Sequence, residues 1–326
     1  MRCKLKISAP ALSALLALGL AAAAHAQGES YPEKPVTLVV AYPPGGSTDL
    51  TGRAVADQLS KKLGVPVVVE NVGGAGGAIG AQKVSRAAPD GYTLLLGANN
   101  EIAINRLVSA SVKYSYKDFT PLGLVASQPL VLVASVNSGV KTVDQFLKAV
   151  KAKPGHYSYG SSGVGTSLHL TGEMLKQQAG LFLTHIPYRG VAPLTTDLYS
   201  GNIDYGVFVL SSGLPHIRSG KVVALGISEK KRSAAAPDIA PLADNPQLKD
   251  LDISVWFALM APPKLPDAVA AKLRKALNEA MQEPEFRKKL EDTGSTLASA
   301  KVDMAKFLVD ETAKYQKIVD FAKIKE

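Results

Sequence analysis

The chain has 326 residues, with 37 basic and 28 acidic side chains, a formal net charge of +9 at pH 7 and a single cysteine. Hydrophobic residues make up 46% and charged residues 20%. These values are typical of a folded chain of about two domains, and they exclude disordered, collagen-like and disulfide-scaffold proteins. A positive charge can indicate nucleic-acid binding, so its position along the chain matters.

Residues 1–26 have the pattern of a cleaved export signal. Three basic residues precede an Ala- and Leu-rich stretch, and Ala-His-Ala at 24–26 matches a signal cleavage site. A membrane anchor is the alternative. We expect a mature, periplasmic chain that begins at Gln27. Cleavage removes the only cysteine, Cys3, and three basic residues, which lowers the formal charge to +6 and leaves it too diffuse to favour nucleic acid. No later stretch is long and apolar enough to span a bilayer.

Strand-like and helix-like segments alternate along the first part of the mature chain. Apolar spacing and a Gly64 stop predict a helix over 47–63. Strands are predicted over 36–42, 65–70 and 92–96, with a short helix that ends near residue 88. This order predicts a parallel sheet with helices on both faces.

The same rhythm repeats after a long apolar strand over 122–136. Strands are predicted over 157–159, 185–188, 205–210, 222–228 and 253–260, and helices over 142–153, 166–179, 192–200 and from 267 to about 325. Thr142 and Gln145 have capping-box spacing. We expect an α/β protein of two lobes, each a mostly parallel sheet flanked by helices. Residues 27–127 and 252–326 would form lobe 1, and residues 128–251 would form lobe 2.

Three turns are candidates for a ligand site between these lobes. They are the glycine- and hydroxyl-rich segments 42–49, 71–80 and 160–170. Ligands of open α/β sheets bind beyond the carboxyl ends of the strands. Glycines permit close approach of the backbone, and free amides at a helix N-terminus favour an anion. The structural alternative for each segment is a tight turn with a helix cap or close helix packing.

Catalytic and nucleotide-binding motifs are incomplete. The second turn has Ile79 where a dinucleotide fingerprint needs glycine, and the Gly220-Lys221 pair is followed by valine, unlike a P-loop. His169 and Glu173 are spaced i, i+4, without the remaining ligands of a metal site. The sequence therefore predicts no catalytic residue, metal or cofactor. A hydrolase using Ser161 or Ser167 with His169 is kept as the enzymatic alternative.

Two further polar positions have ambiguous roles. Asp204, at the head of a predicted strand, is either a ligand acceptor or a turn residue. Arg189, in Tyr188-Arg189-Gly190, is either a carboxylate partner or part of a plain loop. The sequence does not give the direction of either side chain.

Taken in order, these segments resemble the Bug-type solute-binding proteins, the TctC-like periplasmic receptors of tripartite tricarboxylate transporters. The resemblance rests on Tyr-Pro-Pro-Gly-Gly-Ser-Thr-Asp at 42–49, Val-Val-Val-Glu-Asn at 67–71 with Gly-Ala-Gly-Gly at 74–77, Pro-Asp-Gly-Tyr-Thr-Leu at 89–94, Gly-Ser-Ser-Gly-Val-Gly-Thr-Ser-Leu-His-Leu at 160–170, His-Ile-Pro-Tyr-Arg-Gly at 185–190, Gly-Asn-Ile-Asp at 201–204, Trp256 and Ala-Pro-Pro at 261–263. It covers essentially the whole mature chain.

The resemblance implies a Venus-flytrap receptor for a small mono- or dicarboxylate, possibly aromatic, held by amides, hydroxyls and ordered waters. The residues implied in binding are Tyr42, Gly45, Gly46, Ala75, Gly76 and Asn99 of lobe 1, and Ser161, Ser162, Thr166, Ser167 and Asp204 of lobe 2, with Tyr188 and Phe208 as side walls. Two features depart from the family pattern: Ala41 stands where proline is frequent, and Val72-Gly73 replaces the usual Arg-Pro.

The expected function is capture of the acid by lobe closure and delivery to the membrane subunits of the transporter, which resemble TctA and TctB. A monomer suits a diffusing receptor, and neither nucleic acid nor a cofactor is expected. The alternative is an extracytoplasmic sensor that presents the same ligand to a histidine kinase.

Overall fold

A computed structural model describes residues 31–299 and 301–324. The predicted signal at 1–26 and the predicted mature start at Gln27 lie outside these residues. Within them, strands are β1 Val36–Val40, β2 Val67–Asn71, β3 Thr93–Ala98, β4 Thr120–Ser135, β5 Ser158–Ser161, β6 Thr184–Pro187, β7 Tyr205–Val209, β8 Val222–Ile227, β9 Ser254–Ala261 and β10 Thr296–Leu297.

The helices lie between these strands much as the sequence periodicity predicts. They are α1 Ser47–Leu63, α2 Ala78–Ser85, α3 Asn105–Val108, α4 Val143–Ala152, α5 Ser167–Ala179, α6 Val191–Ser200, α7 Leu210–Arg218, α8 Asp267–Ala280, α9 Pro284–Glu291 and α10 Met304–Ala322. Helix α1 buries Val55 and Leu59, one turn apart, and Gly64 ends it in the left-handed conformation. Among the described residues, no helix has both the length and the apolar character that a membrane crossing requires.

The strands form one curled sheet with two distinct regions. We define the first sheet region as strands β2-β1-β3-β9, residues 120–129 of β4, and β10. The second sheet region contains residues 130–135 of β4 together with strands β5 to β8. Strand β4 therefore runs through both regions. The carboxyl ends of β1, β2 and β3 meet at one edge, and those of β5, β6 and β7 meet at another.

Parallel pairing is confirmed only within each set of three strands. Strands β9 and β4 are antiparallel to their neighbours, and β8 pairs antiparallel with β4. Strand β10, a pair of residues beside β4, was not predicted because so short a segment has no visible periodicity. Thr142 caps α4 as expected, but Gln145 accepts from the amide of Lys141 instead of closing the reciprocal capping box.

The hydrophobic core lies between the sheet and the helices. Val39 in β1 and Leu95 in β3 are fully buried, as expected for parallel strands with both faces covered. Tyr315 of α10 is also fully buried, and α10 contacts both α5 and the turn at Asn100–Ile104. The last helix therefore packs against elements of both halves of the molecule.

Candidate functional site

The first loop of the site leaves the carboxyl end of β1. Gly45 has a φ of +88°, which glycine adopts without strain, and its amide donates to the Asp49 carboxylate at 3.0 Å. Gly46 then forms the N-cap of α1. Asp49 is ion-paired with Arg53 at 3.0 Å, so its charge is neutralised inside the first turn. The positive end of the α1 dipole is therefore not cancelled by an unpaired acid.

The second loop follows β2 and has an unusual backbone. Four consecutive residues from Gly74 to Gly77 have positive φ angles of 130°, 48°, 58° and 93°. A Cβ atom at Gly77 would lie 2.9 Å from both the Tyr42 hydroxyl and Glu101 Oε2. The absence of a side chain at this position lets the loop approach those groups closely.

A hydrogen-bonded network supports these two loops from below. The Tyr42 hydroxyl lies 3.0 Å from the Gly76 carbonyl oxygen and 2.9 Å from Glu101 Oε2, and it accepts from Asn100 Nδ2 at 2.9 Å. Asn105 Nδ2 donates to the same Gly76 carbonyl at 2.9 Å. The network fixes the position of the Tyr42 ring, which faces the site.

Glu101 is the ionisable member of this network. Its side chain is buried, and burial raises the pKa of its carboxyl to about 7. A protonated Glu101 can donate to the Tyr42 oxygen, which leaves the tyrosine proton for the Gly76 carbonyl. Tyr42, Glu101 and Gly76 then satisfy one another without a buried charge.

The third loop follows β5 in the second sheet region. Ser161 Oγ donates to the Gly163 carbonyl at 3.0 Å and lies 2.7 Å from His185 Nε2, which therefore donates to it. Thr166 caps α5 by accepting from the His169 amide, and it also donates to the Gly163 carbonyl at 2.8 Å. These side chains hold the loop in shape from its buried side.

Two histidines stack beneath this loop. The rings of His169 and His185 have centroids 3.9 Å apart and are inclined by 11°. Burial lowers the pKa of His185 to about 3, with further contributions from the positive charges of His169 and Lys176. His169 Nδ1 accepts from the Gly165 amide at 3.1 Å. His169 is therefore a buried, hydrogen-bonded histidine.

The fourth loop, 187–190, follows β6 and faces the first loop. The Tyr188 hydroxyl donates to Asp197 Oδ2 at 2.6 Å, which orients the ring. A Cβ atom at Gly190 would lie 3.4 Å from Pro43 Cγ, so the two loops are in near contact. Asn100 Oδ1 also accepts from the Ser167 amide at 2.7 Å, which joins the first sheet region to α5.

Two adjoining cavities lie among these loops. The inner cavity has a volume of about 40 Å³, and the outer one about 1190 Å³. Tyr42, Pro43, Ser162 and Gly190 line both. The inner cavity is bordered by the first turns of four helices, through Ser47 and Thr48 of α1, Leu168 of α5, Val191 of α6 and Ser212 of α7.

The predicted site residues fall into three groups. Six line a cavity, namely Tyr42, Gly46, Ala75, Gly76, Ser162 and Tyr188. Gly45 lies in the first loop beside them. Ser161, Thr166 and Ser167 are buried behind the third loop and line neither cavity. Ser161 and Thr166 use their hydroxyls to support the loop, and Ser167 provides its amide to Asn100.

Three predicted residues lie elsewhere. Asn99 is buried and donates to the Tyr315 hydroxyl at 2.7 Å and to the Ser254 carbonyl, so it faces α10. Asp204 precedes β7, at the end of the strand opposite the cavities, and accepts from the Ser158 amide. Phe208 is fully buried in β7, whereas its neighbour Val209 lines the inner cavity, because adjacent strand residues point to opposite faces.

The side chains that sequence reasoning missed are Asn100, Glu101 and Asn105. Asn100 lines the inner cavity and Asn105 the outer one. The available signal was the polar run 99–101 directly after the buried strand β3, at the third carboxyl end of the first sheet region.

The serine–histidine pairings of the hydrolase alternative are not found in the part of the chain that the structure describes. Ser161 contacts His185 rather than His169. The buried hydroxyl of Ser167 has no hydrogen-bond partner among the described residues. Residues 31–299 and 301–324 also contain no cluster of three or more His, Cys, Asp or Glu side chains able to hold a metal ion.

The family of the chain follows from comparison with known proteins. Residues 51–324 match the family described as tripartite tricarboxylate transporter family receptor, TctC. The chain belongs to this family of periplasmic solute-binding receptors. It is also 33% identical over 300 residues to protein BugT of Bordetella pertussis, with 91% of this chain and 92% of BugT covered. The predicted Bug-type membership is confirmed.

Solved structures confirm the two-lobed fold of a periplasmic binding protein. The periplasmic binding protein BugD is 31% identical, with a TM-score of 0.85 over 90% of this chain and 99% of BugD. Rpa4515 of R. palustris with adipate is 28% identical, with a TM-score of 0.86 and coverages of 90% and 99%. MatC of Rhodopseudomonas palustris with bound malate is 28% identical, with a TM-score of 0.82 and coverages of 89% and 100%.

Proposed function

We propose that this protein captures a small organic carboxylate between two lobes and passes it to a membrane permease. Lobe 1 would comprise residues 27–127 and 252–326, and lobe 2 residues 128–251. The change of partners along β4 supports this division. The strand pairs with β9 up to Pro129, then with β7 from Leu130 and with β8 from Val131. The ligand would lie in the two cavities between the loops of the two sheet regions.

The observation that carries the proposal is the convergence of four helix N-termini on the inner cavity. Each N-terminus carries a partial positive charge, so their convergence favours an anion. In α5 and α7 some first-turn amides are already bonded, to Asn100, Thr166 and Gln128. The residues that line the inner cavity include no charged side chain. A carboxylate bound there would meet dipoles and hydroxyls without competition from an acidic group.

Hydroxyl groups add donors at the same place. Ser47, Thr48 and Ser162 line the inner cavity, and their hydroxyls make no hydrogen bond to other described residues. They are therefore available to a ligand. The adipate in Rpa4515 and the malate in MatC are consistent with a carboxylate ligand here.

Binding without turnover is the simplest use of this site. Acyl transfer needs a nucleophile in contact with a positioned base. Ser162, the serine that lines both cavities, makes no hydrogen bond to a histidine among the described residues. We propose a receptor rather than an enzyme, with no cofactor or metal.

The remaining steps of the proposed cycle are inferred by analogy with the family. Residues 1–26 would direct export to the periplasm and be removed. The monomeric, ligand-bound receptor would deliver its acid to the TctA- and TctB-like membrane subunits of a tripartite tricarboxylate transporter. Closure around the ligand requires the ligand to bind the closed arrangement more tightly than the open one.

The test is a binding screen on the mature chain from Gln27. We expect at least one mono-, di- or tricarboxylate or aromatic acid to raise the melting temperature, with affinity then measured by calorimetry. Thr48→Val keeps the shape of the side chain and removes a cavity hydroxyl, so affinity should fall about tenfold. The control is Thr196→Val, at an exposed position on α6.

Two outcomes would contradict the proposal. The first is the absence of binding by every acid in the screen. The second is equal affinity for Thr48→Val, Thr196→Val and the unmodified chain. Uptake of the labelled acid in a deletion strain tests delivery separately: unchanged uptake with lost gene induction would favour the sensor role.

A further inference from the structure

The outer cavity extends the proposed site beyond the carboxylate pocket. Its volume of about 1190 Å³ far exceeds that of the inner cavity, with which it shares four lining residues. An acid whose first carboxylate occupies the inner cavity would therefore direct the rest of its chain into the outer one. Val108, Val112 and Ile79 line this space and suit methylene groups.

Arg189 is the single charged side chain among the described residues that line the two cavities. It makes no ion pair or hydrogen bond with any other residue that the structure describes. Arg189 therefore takes part in neither a salt bridge nor a helix cap, whereas Arg53 is paired with Asp49. The outer cavity thus has an uncompensated cation on its wall and no acidic side chain.

The loop that carries Arg189 is fixed on both sides. Tyr188 is held by Asp197 through a hydrogen bond of 2.6 Å. Gly190 has a φ of +106° and lies against Pro43 of the facing loop. The backbone of Arg189 is therefore positioned between two anchored residues while its side chain remains unpaired, which lowers the cost of ordering the loop on binding.

We propose that Arg189 is the specificity-determining residue that binds the second carboxylate of an elongated dicarboxylate. The inference rests on the proposed function, because it assumes that the first carboxylate occupies the inner cavity. The planar guanidinium can donate two parallel hydrogen bonds to a carboxylate. A monocarboxylate of the same length leaves this cation without a partner, so the site discriminates by the distal charge.

The experiment compares two acids of equal length, adipate and hexanoate, on the same mature protein. Binding is measured by calorimetry at pH 7.5 for the unmodified chain, Arg189→Gln and Arg189→Lys. Arg86→Gln is the matched control, because Arg86 is an exposed arginine that has no side-chain partner among the described residues and lines neither cavity. Melting temperatures of all variants check that each is folded.

We expect adipate to bind the unmodified chain at least about tenfold more tightly than hexanoate. Arg189→Gln should lower adipate affinity at least about tenfold and hexanoate affinity less than about twofold. Arg189→Lys should retain part of the preference, because it keeps the charge and loses the planar fork. Arg86→Gln should match the unmodified chain for both acids.

Three outcomes overturn the proposal and are distinguishable. If carboxylates bind but Arg189→Gln lowers the affinity for both acids equally, the proposed role of Arg189 in selecting dicarboxylates is wrong and the proposed function stands. If the unmodified chain prefers hexanoate, the dicarboxylate class is wrong while carboxylate capture stands. If neither acid nor any other carboxylate binds, the proposed function fails together with this inference.

Discussion

The two sheet regions support their loops with different ionisable groups. In the first, Tyr42 is hydrogen-bonded to Glu101, and burial raises the pKa of the Glu101 carboxyl to about 7. In the second, Ser161 is hydrogen-bonded to His185. Burial lowers the pKa of His185 to about 3, with smaller electrostatic contributions from His169 and Lys176. The carboxyl therefore titrates near neutral pH and the histidine stays neutral there. Of these two groups, the one that responds to mild pH is the glutamic acid, although histidine is the usual residue for this.

The two groups also change stability in opposite directions with pH. Between its ordinary value of 4.5 and about 7, Glu101 holds a proton in the folded state that the unfolded chain releases, so stability falls as pH rises. Between about 3 and its ordinary value of 6.5, His185 stays neutral in the folded state while the unfolded chain takes up a proton. Stability on that account falls as pH drops.

The largest expected effect comes from disturbing the support of the first region directly. Gly77→Ala places a Cβ atom 2.9 Å from the Tyr42 hydroxyl and Glu101 Oε2, at a φ of +93°. We expect a loss of about 3 kcal/mol in the free energy of unfolding and loss of carboxylate binding. Urea titration and calorimetry measure the two effects.

Gly64→Ala is the control for that substitution. Gly64 also has a positive φ, of 74°, but a Cβ atom there meets nothing within 4 Å. We expect a loss of only about 1 kcal/mol from backbone strain. Equal losses for the two variants would show that crowding against Tyr42 and Glu101 has no energetic consequence.

The second largest effect is expected from replacing the Glu101 carboxyl with a neutral amide. Glu101→Gln keeps an acceptor for the Ala98 amide and a donor for Tyr42 while it removes the titration. Relative to the unmodified chain, the variant should gain about 2 kcal/mol in the free energy of unfolding from pH 5 to pH 8. Urea titrations at both pH values measure the gain. A difference that does not change with pH would contradict the assignment of the neutral titration to Glu101.

The smallest effect is expected from replacing His185. His185→Gln can still donate to Ser161 Oγ and is neutral at every pH. We expect a melting temperature close to that of the unmodified chain at pH 7.5 and a smaller loss on lowering the pH to 5. His156→Gln, at an exposed histidine outside the site, is the control. Parallel curves for His185→Gln and the unmodified chain would show that His185 has no part in the acid response.

The order of elements and the edge that carries the site are predictable from sequence, because apolar periodicity and turn residues act locally. Helix α1 has its predicted bounds of 47–63, since apolar spacing marks its length and Gly64 its end. The three glycine-rich turns were correctly placed at strand ends. Tyr42, Ser162 and Tyr188 accordingly line the cavities.

The sequence did not show which of two adjacent side chains points into a cavity. Asn99 was predicted for the site and Asn100 lines it, because the backbone is already helical at Asn99 and consecutive side chains of a helix point in different directions. Strand alternation separates Phe208 from Val209. Glu101 was missed because an acid is unexpected beside an anion, and only the three-dimensional structure reveals the burial that raises its pKa.

The position of β9 has a consequence for how the chain acquires its structure. This strand, residues 254–261, lies between β3 and β4 in the first sheet region, although more than a hundred residues separate it from either along the chain. The second sheet region is contiguous in sequence from residue 130 to 227 and can assemble as soon as that segment emerges. Strands β1 to β3 can join β4 in one sheet only after β9, in the carboxyl-terminal third of the chain, has been synthesised. Exposed apolar strand edges in the interval are where we expect chaperones to bind before the chain is complete.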